Sequence, residues 1–439
     1  MSPTAGVSQI SGADIAGGLS MQLKSVSRLR RTALVAGVAI AVAGCGAAAT
    51  PKHHAETPVT LGFLGALTGA RASLGTGMEL GANLAVQNIN KHGGVLGHPI
   101  LMVAQDTASD PADAVPAADF EINTDHVAAI IGPTANTTAV VLPLADRANI
   151  PELMFGGGAA FDQNTDPHFF RLSPSDTEQA QAMVYYAHSK GWNKVALAFG
   201  EAAASQSLVA PVEASLHHLH MTVVANVSFT AGQSSYRSEV QQLFANHPQV
   251  VLGQFNNTTA GIVFGEIAQG GFSSTPWIGT NLWYSSAWVA SVGAAATSGN
   301  VFISNSSSTG MVGATQFIQL LKAKTGTVVP PNGAGFMYDA VMTWALGADE
   351  AGTWAWPKIR AGILKAANPP GTVCGTYQSC YALIKQGKDI NWDGSESTVD
   401  FNKYDNVFGP FAILNYNSSG AAATVTTLTP QVLEAAFAG

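Results

Sequence analysis

The sequence is poor in charged residues and in cysteine. Charged side chains make up 11% of its 439 residues, and only three cysteines occur. Hydrophobic residues account for 47%, whereas a disordered chain combines low hydrophobicity with high net charge. The composition therefore predicts a compact folded protein and not a disordered one.

Motifs of several enzyme classes are also missing. The sequence contains no GxSxG elbow, no P-loop and no HExxH pair. Its Gly75-x-Gly77 pair, followed by Gly81, misses the spacing of a dinucleotide-binding loop. With no candidate nucleophile or cofactor site, the sequence favours a protein that is not an enzyme and needs no cofactor.

The N-terminal residues have the pattern of an export signal. Four basic residues precede an apolar run over 32–43 that is too short for a permanent membrane span. The run closes with Val42-Ala43-Gly44-Cys45, which is similar to the bacterial lipobox, in which the cysteine is lipidated. We predict a lipoprotein signal peptide over residues 1–44, lipidation of Cys45 and a tether over residues 45–58. Cleavage without a lipid is the alternative, and Met21 is an alternative start.

The predicted mature chain is acidic. The leader contains four of the 20 Lys and Arg residues and one of the 28 Asp and Glu residues. The remaining 395 residues therefore carry 16 basic and 27 acidic side chains, a formal charge of −11. Without a basic patch, nucleic acid is not an expected partner. A chain of this length exceeds what one hydrophobic core usually covers, so we expect two lobes.

The other two cysteines, Cys374 and Cys380, are separated by five residues. In an oxidising compartment such a pair is expected to close a small disulfide loop. Two free thiols are the alternative. A zinc site is less favoured, because no second pair of ligands lies nearby in the sequence.

Residues 59–106 have the pattern of a βαβ unit. An apolar strand over Val59–Phe63 leads through a Gly-rich loop to an amphipathic helix over Thr76–Lys91, and a second apolar strand follows at Ile100–Ala104. Strands and helices keep alternating, and the pattern restarts after residues 168–176. The sequence therefore predicts an α/β fold with parallel-rich sheets, whose ligands bind beyond the carboxyl ends of the strands.

Several phrases, in this order, resemble one protein family. LGALTG after the first strand, AVQNIN in the first helix, GGVLGHPI and QDTASDPADAV are similar to the amino-terminal repeat of type I periplasmic solute-binding proteins. MYDAVMTWAL and the tail from Asp389 resemble later parts of the same family, which includes receptors for branched-chain amino acids and amides. The resemblance implies two Rossmann-like lobes joined by three hinge crossovers, and capture of a solute by hinge closure.

The resemblance also implies a location and partners. It places residues 59–170 and 303–392 in lobe 1, and residues 171–302 and 393–430 in lobe 2. We expect a monomer on the extracytoplasmic face of the cell membrane, anchored by its lipid, which delivers a small solute to the permease subunits of an ABC importer. A ligand-sensing module for a signalling partner is the alternative, because the same fold serves both.

The cleft between such lobes is expected to hold the solute. Asn136 matches the position where the family supplies a Ser or Thr to a ligand carboxylate, and Thr137 follows it. Ordinary helix capping is the alternative role for both. In the loop after the fourth strand, Gly157, Gly158 and Ala159 lack the hydroxyl that is usual there, but they offer backbone N–H groups to an oxygen.

The resemblance leaves the other end of the solute without a charged partner. Asn256 and Asn281 match positions where amino-acid receptors of the family place an acidic residue near the ligand ammonium. Glu201 is an alternative partner for a cation, although a solvated loop residue is its commoner role. Two asparagines predict a neutral, amide-like or aromatic solute better than a standard branched-chain amino acid.

Apolar residues are expected to complete the wall. Leu74 stands where the family often has an aromatic gate, which leaves room for a larger solute. Phe255, Trp283, Tyr284 and Tyr338 are candidates for stacking on an apolar or planar part of the solute. Core packing is the alternative role for each of these aromatics.

Two patterns suggest a metal ion, but both lack the necessary context. Asp389, Asn391, Asp393 and Asp400 match most of an EF-hand loop, yet no convincing helices flank them, so a polar hairpin turn is favoured. The histidines over 217–220 cluster at a helix end without a set of carboxylates. We therefore expect no metal site.

Overall fold

A computed structural model describes residues 56–293 and 299–438 of the chain. Within these residues, strands and helices alternate along almost the whole length. The strands are β1 Val59–Gly65, β2 Ile100–Asp106, β3 Ile130–Thr134, β4 Glu152–Phe155, β5 Phe169–Arg171, β6 Lys194–Gly200, β7 Thr222–Phe229, β8 Val250–Gln254, β9 Trp277–Thr280, β10 Val301–Ser306, β11 Thr372–Cys374, β12 Ile390–Trp392, β13 Phe411–Tyr416 and β14 Ala422–Leu428. The helices are α1 Ala72–Lys91, α2 Pro111–Asn123, α3 Ala135–Ala148, α4 Asp176–Ser189, α5 Ala203–Gln206, α6 Val209–His218, α7 Arg237–Phe244, α8 Asn257–Gly270, α9 Ser286–Val292, α10 Ala314–Thr325, α11 Ala334–Ala351, α12 Lys358–Ala367, α13 Tyr377–Lys385 and α14 Pro430–Phe437.

The predicted N-terminal features fall largely outside this part of the chain. The signal peptide over residues 1–44, Cys45 and most of the predicted tether lie outside the described residues. Residues 56–58 are exposed and lead directly into β1. None of the helices described is both long enough and apolar enough to cross a membrane.

The first sheet contains five parallel strands in the order β2-β1-β3-β4-β5. Its central strands bury apolar side chains on both faces, as a parallel sheet covered by helices requires. Leu61 and Phe63 of β1 join the core that includes α1 and α11, whereas Leu64 belongs to a smaller cluster with α2 and α3. This sheet and the helices packed on it form the first lobe.

The second sheet contains seven strands in the order β14-β13-β10-β9-β8-β6-β7. Strands β6 to β10 are parallel, and β13 and β14 extend the sheet as antiparallel strands. Alternate residues of β6 enter separate core clusters, Ala196 and Ala198 in one, Val195 and Leu197 in the other. The two sheets confirm the predicted α/β class with two Rossmann-like lobes.

The chain passes between the two sheets after β5, after β10 and after β12. Val301–Ser306 pairs with both β9 and β13, so the predicted return to the first lobe at residue 303 is too early. The predicted departure at residue 393 is also too early, because Val399 and Val407 still pack in the first-lobe core. Hydrophobic pattern marks a strand, but it does not say which sheet the strand will join.

Polar side chains cap the first turns of two helices. Asp110 caps α2, because its carboxylate accepts a hydrogen bond from the Ala112 N–H at 2.8 Å. Ser175 and Glu178 form a capping box at the start of α4, with a side-chain to backbone hydrogen bond of 3.0 Å in each direction. These local contacts satisfy N–H groups that a helix end leaves without a partner.

Helices α1 and α11 approach each other closely in the first lobe. The apolar face of the predicted amphipathic helix is buried along α1, from Met78 to Ile89. At Gly81 the α1 backbone lies directly against the Ala334 carbonyl of α11, so a Cβ atom there would overlap that oxygen. Only glycine fits this contact without moving one helix.

Replacing Gly81 by alanine is therefore expected to lower the free energy of unfolding by about 3 kcal/mol, the upper part of the range for overpacked cores. Gly265 is the matched control, because it is an exposed glycine of α8 with no atom within 4 Å of a built Cβ. Gly265→Ala is expected to raise the free energy of unfolding by about 1 kcal/mol through helix propensity. Urea unfolding measures both, and equal effects of the two substitutions would contradict the packing argument.

Cys374 and Cys380 are joined by a disulfide, with their Cα atoms 5.4 Å apart. The bond connects the end of β11 to α13.

Strand β12 pairs in parallel with β11, so the segment after Asp389 begins as a strand and not as the predicted hairpin turn. The Asp389 carboxylate lies 3.4 Å from the Lys365 ammonium, and no helix follows between Asp400 and β13, unlike in an EF-hand.

Candidate ligand-binding cleft

A cavity of about 1360 Å³ lies where the carboxyl ends of strands from both sheets come together. The first lobe contributes the turn from β3 into α3 and the loop after β4. The second lobe contributes the turns that follow β8 and β9. The cavity, called the interlobe cleft below, is larger than a typical small-molecule pocket of roughly 300–1,000 Å³.

The N-terminus of α3 forms one side of the interlobe cleft. Asn136 lines the cleft, and its Oδ1 accepts a hydrogen bond from the Thr134 hydroxyl at 2.6 Å. Thr137 is only 1% exposed, and it is not among the residues that line the cleft. Its hydroxyl donates to the Thr134 carbonyl at 3.0 Å and accepts from the Thr134 N–H at 2.9 Å. The prediction of a solute contact by Thr137 is therefore wrong, because helix capping uses its hydroxyl.

The glycine-rich loop after β4 also borders the cleft. Gly157, Gly158 and Ala159 all line it, which is where the sequence predicts them. The loop is fastened at its start, because the Gly156 N–H donates to the Ser173 hydroxyl at 2.8 Å. Gly157 packs so closely on Asp176 that a Cβ atom would overlap the carboxylate of that residue.

Four further predicted residues line the interlobe cleft. Leu74 lies on the first-lobe side, and Phe255, Asn256 and Asn281 lie on the second-lobe side. The Asn256 Oδ1 caps α8 by accepting a hydrogen bond from the Thr259 N–H at 2.9 Å. Phe255 is 2% exposed, so it presents little surface to a solute. The position of these residues agrees with the prediction, and their contact with a solute stays a prediction.

Three predicted wall residues lie elsewhere. Trp283 is fully buried in the second-lobe core, where its indole N–H donates to the Phe255 carbonyl at 3.0 Å. Tyr338 is fully buried in the first-lobe core, and its hydroxyl donates to Gln316 at 3.2 Å. Tyr284 is 46% exposed and does not line the cleft. Stacking of Trp283 or Tyr338 on a solute is therefore excluded, because core packing occupies both rings.

The charged residues of the cleft, Arg71 and Asp176, were not predicted from the sequence. Asp176 is the first residue of α4, beside the Ser175 cap. Burial raises the pKa of its carboxyl, while the nearby Ser207 hydroxyl and the positive charge of Arg171 act in the opposite direction. Asp176 ends the segment over residues 168–176, after which the pattern of strands and helices restarts, and its place next to a helix cap favours a structural role.

On the first-lobe side of the cleft, three phenylalanines were also not predicted from the sequence. Phe155 borders the cleft from the end of β4, Phe161 from the segment that follows it, and Phe336 from α11. Together with Leu74 they give the first-lobe side an apolar surface next to the polar N-terminus of α3. The cleft thus offers hydrogen-bonding groups and apolar surface side by side, which suits an amphipathic small molecule.

A model of the periplasmic binding protein family matches residues 58–394. The match covers most of the chain, which therefore belongs to this family. It confirms the resemblance of the sequence motifs to type I periplasmic binding proteins. Over 348 residues the chain is 26% identical to the Leu/Ile/Val-binding protein homolog 3 of Brucella melitensis, covering 77% of this chain and 92% of the relative.

Solved structures share the fold at low sequence identity. The substrate-binding protein LivJ from Streptococcus pneumoniae in complex with isoleucine has a TM-score of 0.68 at 20% identity, over 85% of this chain and 99% of that chain. A solute-binding protein from R. palustris in complex with benzoate has a TM-score of 0.66 at 17% identity, over 85% and 97% of the two chains. At this level of identity the likeness concerns the fold alone.

Proposed function

We propose that the protein is an extracytoplasmic solute-binding lipoprotein of an ABC importer, which captures a small amino-acid-like, amide or aromatic solute without altering it. The observation that carries the proposal is the interlobe cleft, which is lined by residues of both lobes. A solute that bridges the lobes favours the closed arrangement, because only that arrangement makes both sets of contacts. The permease subunits then recognise the closed state.

The proposed contacts divide between the two lobes. Asn136 and the backbone of residues 157–159 hold one polar end of the solute, and Asn256 and Asn281 bind a second polar group. Leu74 borders the apolar part. One relative is named a Leu/Ile/Val-binding protein homolog, and two of the similar solved structures are complexes with isoleucine and with benzoate. These names support this range of solutes.

A thermal-shift screen of amino acids, amides, ureas and aromatic acids tests the proposal. A solute at about a hundred times its dissociation constant should raise the free energy of unfolding by roughly 2.7 kcal/mol. Ala203 is exposed and lines the cleft, whereas the neighbouring Ala202 is exposed and does not line it. Ala203→Trp should abolish the shift, and Ala202→Trp should retain it. A complete screen without a cleft-dependent shift would refute the proposed capture function.

Membrane attachment rests on Cys45 and has its own test. In the producing cell, the lipidated protein should partition with the membrane fraction and enter the detergent phase of Triton X-114. Cys45→Ser should move the protein to the soluble fraction, because a serine hydroxyl does not form the thioether that holds the lipid. If the wild-type protein is found in the soluble fraction, the proposed lipid anchor is wrong and the signal peptide serves export alone.

A further inference from the structure

Three side chains with metal-ligating atoms meet next to the start of β5. Asp146, Asp166 and His168 each bring one such atom to the same place, and the three atoms lie within 4.8 Å of one another. The His168 Nδ1 atom is 3.0 Å from Asp146 Oδ1 and 3.2 Å from Asp166 Oδ1. Bonds of about 2.0–2.2 Å to a zinc ion place neighbouring donor atoms about 3.0–3.5 Å apart. These three residues, called the His168 cluster below, therefore have spacings that a metal ion accepts.

The His168 cluster lies at the edge of the first sheet that is remote from the interlobe cleft. Asp146 is in the last turn of α3, and His168 immediately precedes β5. The strands of this sheet are parallel, so the beginning of β5 lies at the amino-terminal edge of the sheet. The cleft lies at the carboxyl ends of the strands, and none of the three residues lines it. The cluster is thus separate from the site of the proposed solute capture.

The imidazole ring of His168 is held in place by its surroundings. His168 is 4% exposed, and its ring stacks on the ring of Trp356 with the centroids 3.9 Å apart. The His168 N–H donates to Asp166 Oδ1 at 2.9 Å, and the Asp166 N–H donates to the Asn164 side chain at 3.0 Å. These contacts keep Nδ1 directed at the two carboxylates. Surroundings that orient a ligand in this way raise the affinity of a metal site.

The His168 cluster contains more negative than positive charge. A single ring N–H at Nδ1 serves two carboxylates, although it has only one proton to donate. In the described part of the chain, no other Lys, Arg or His nitrogen lies within 4.0 Å of either carboxylate. The guanidinium of Arg360 donates to the nearby Pro167 carbonyl at 3.0 Å, but its ion pair is with Asp405 at 2.7 Å. A divalent cation would balance the charge that His168 leaves.

A further carboxylate lies buried behind the cluster. Glu152 is fully buried, and among the described residues neither of its carboxylate oxygens has a hydrogen-bond partner. Its side chain is on the same face of β4 as that of Met154, which packs with Leu142 of α3, one turn before Asp146. Burial raises the pKa of the Glu152 carboxyl to about 8, and the negative charge of Asp166 adds to this rise. A cation bound at the cluster would give this unpartnered group an opposite charge.

We propose that Asp146, Asp166 and His168 bind a divalent transition-metal ion of the zinc class, through one oxygen of each carboxylate and the imidazole Nδ1 atom. An imidazole ligand favours zinc, nickel and copper, whereas carboxylates alone suit magnesium and calcium. The ion joins the last turn of α3 to the segment before β5, and water completes its coordination. This inference does not rest on the proposed capture function. It replaces the expectation of no metal site, because folding brings together ligands that form no motif in the sequence.

Isothermal titration calorimetry with ZnCl₂ tests the proposal on protein that has been treated with EDTA and then dialysed into metal-free buffer. Asp146→Asn is the informative variant, because this side chain is 53% exposed and in the described part of the chain its ion pair is with His168 alone. It should weaken zinc binding at least tenfold, roughly the smallest loss expected when a metal site loses a supporting residue. Wild-type protein should bind MgCl₂ at least about tenfold more weakly than ZnCl₂.

Asp113→Asn is the matched control, because it changes an exposed carboxylate of α2 that is not part of the cluster. It should bind zinc as the wild-type protein does, since zinc held by other surface groups contributes equally to all three proteins. Zinc should also raise the melting temperature of the wild-type protein more than that of Asp146→Asn, and EDTA should reverse the rise. Equal zinc affinity of the wild type and Asp146→Asn would overturn the proposal. Wild-type protein that binds no zinc, or binds magnesium as tightly, would overturn it without any variant.

Discussion

Asp339→Ala is expected to lower the free energy of unfolding by about 3–5 kcal/mol, because two buried N–H groups lose their acceptor and each such loss costs about 1–3 kcal/mol. Asp339 lies fully buried in α11, and its carboxylate accepts hydrogen bonds from the N–H groups of Ser395 at 2.7 Å and Glu396 at 3.0 Å. Burial raises the pKa of this carboxyl to about 7, while the two backbone hydrogen bonds oppose that rise. Alanine would leave two N–H groups in the interior without a partner.

The hydrogen bonds lost in Asp339→Ala also hold a segment that connects the two lobes. Ser395 and Glu396 lie on the segment that leads from β12 to β13, which is the third passage between the sheets. Asp339 thus fastens this segment to the first lobe. Asp119→Ala in α2 is the control, because its carboxylate is exposed. Urea unfolding should show the large loss for Asp339 alone, and a loss below about 1 kcal/mol would show that this fastening contributes little.

Glu121→Leu is expected to stabilise the protein at alkaline pH. Glu121 is fully buried in α2, and neither of its carboxylate oxygens has a hydrogen-bond partner. Burial, with a smaller contribution from Asp125, raises the pKa of its carboxyl from 4.5 to about 9. The folded protein therefore keeps a proton that the unfolded chain releases, and stability falls as the pH rises from about 4.5 to about 9.

Leucine removes this proton linkage and suits the apolar cluster of Ala114, Ala118 and Val127 nearby. We expect the gain in the free energy of unfolding to be about 4 kcal/mol larger at pH 8 than at pH 5, because each pH unit between the unfolded and folded pKa values changes this linkage by about 1.4 kcal/mol. Thermal unfolding from pH 5 to pH 9 measures the difference. Glu213→Leu, at an exposed position of α6, should leave the slope of stability against pH unchanged. An unaltered slope for Glu121→Leu would contradict the assignment.

Much of the fold could be predicted because its signals are local. The Asp110 cap, the Ser175–Glu178 box and the buried stripe of α1 each depend on residues within a few positions of one another. The passage points between the lobes could not be placed, because the partner of β10 is decided by sheet pairing between distant segments. Periodicity carries no information about such pairing.

The residues of the candidate site also fall into a predictable and an unpredictable group. Loops at the ends of strands were predictable, so Asn136, Gly157 and Asn281 lie in the cleft as expected. Whether an aromatic ring lines a cleft or fills a core depends on which helix packs over it, and Tyr338 illustrates the second outcome. The place of Asp176 could not be predicted for the same reason, because a residue beside a helix cap borders the cleft only through the tertiary arrangement.

Closure of the interlobe cleft on an intact solute should be visible by small-angle X-ray scattering. Profiles of the purified protein should be recorded without solute and after saturation with a compound identified by the thermal-shift screen. The saturated protein should have a smaller radius of gyration and a shorter maximum dimension, and Ala203→Trp should show no such difference. Superimposable profiles for the empty and saturated wild-type protein would contradict closure.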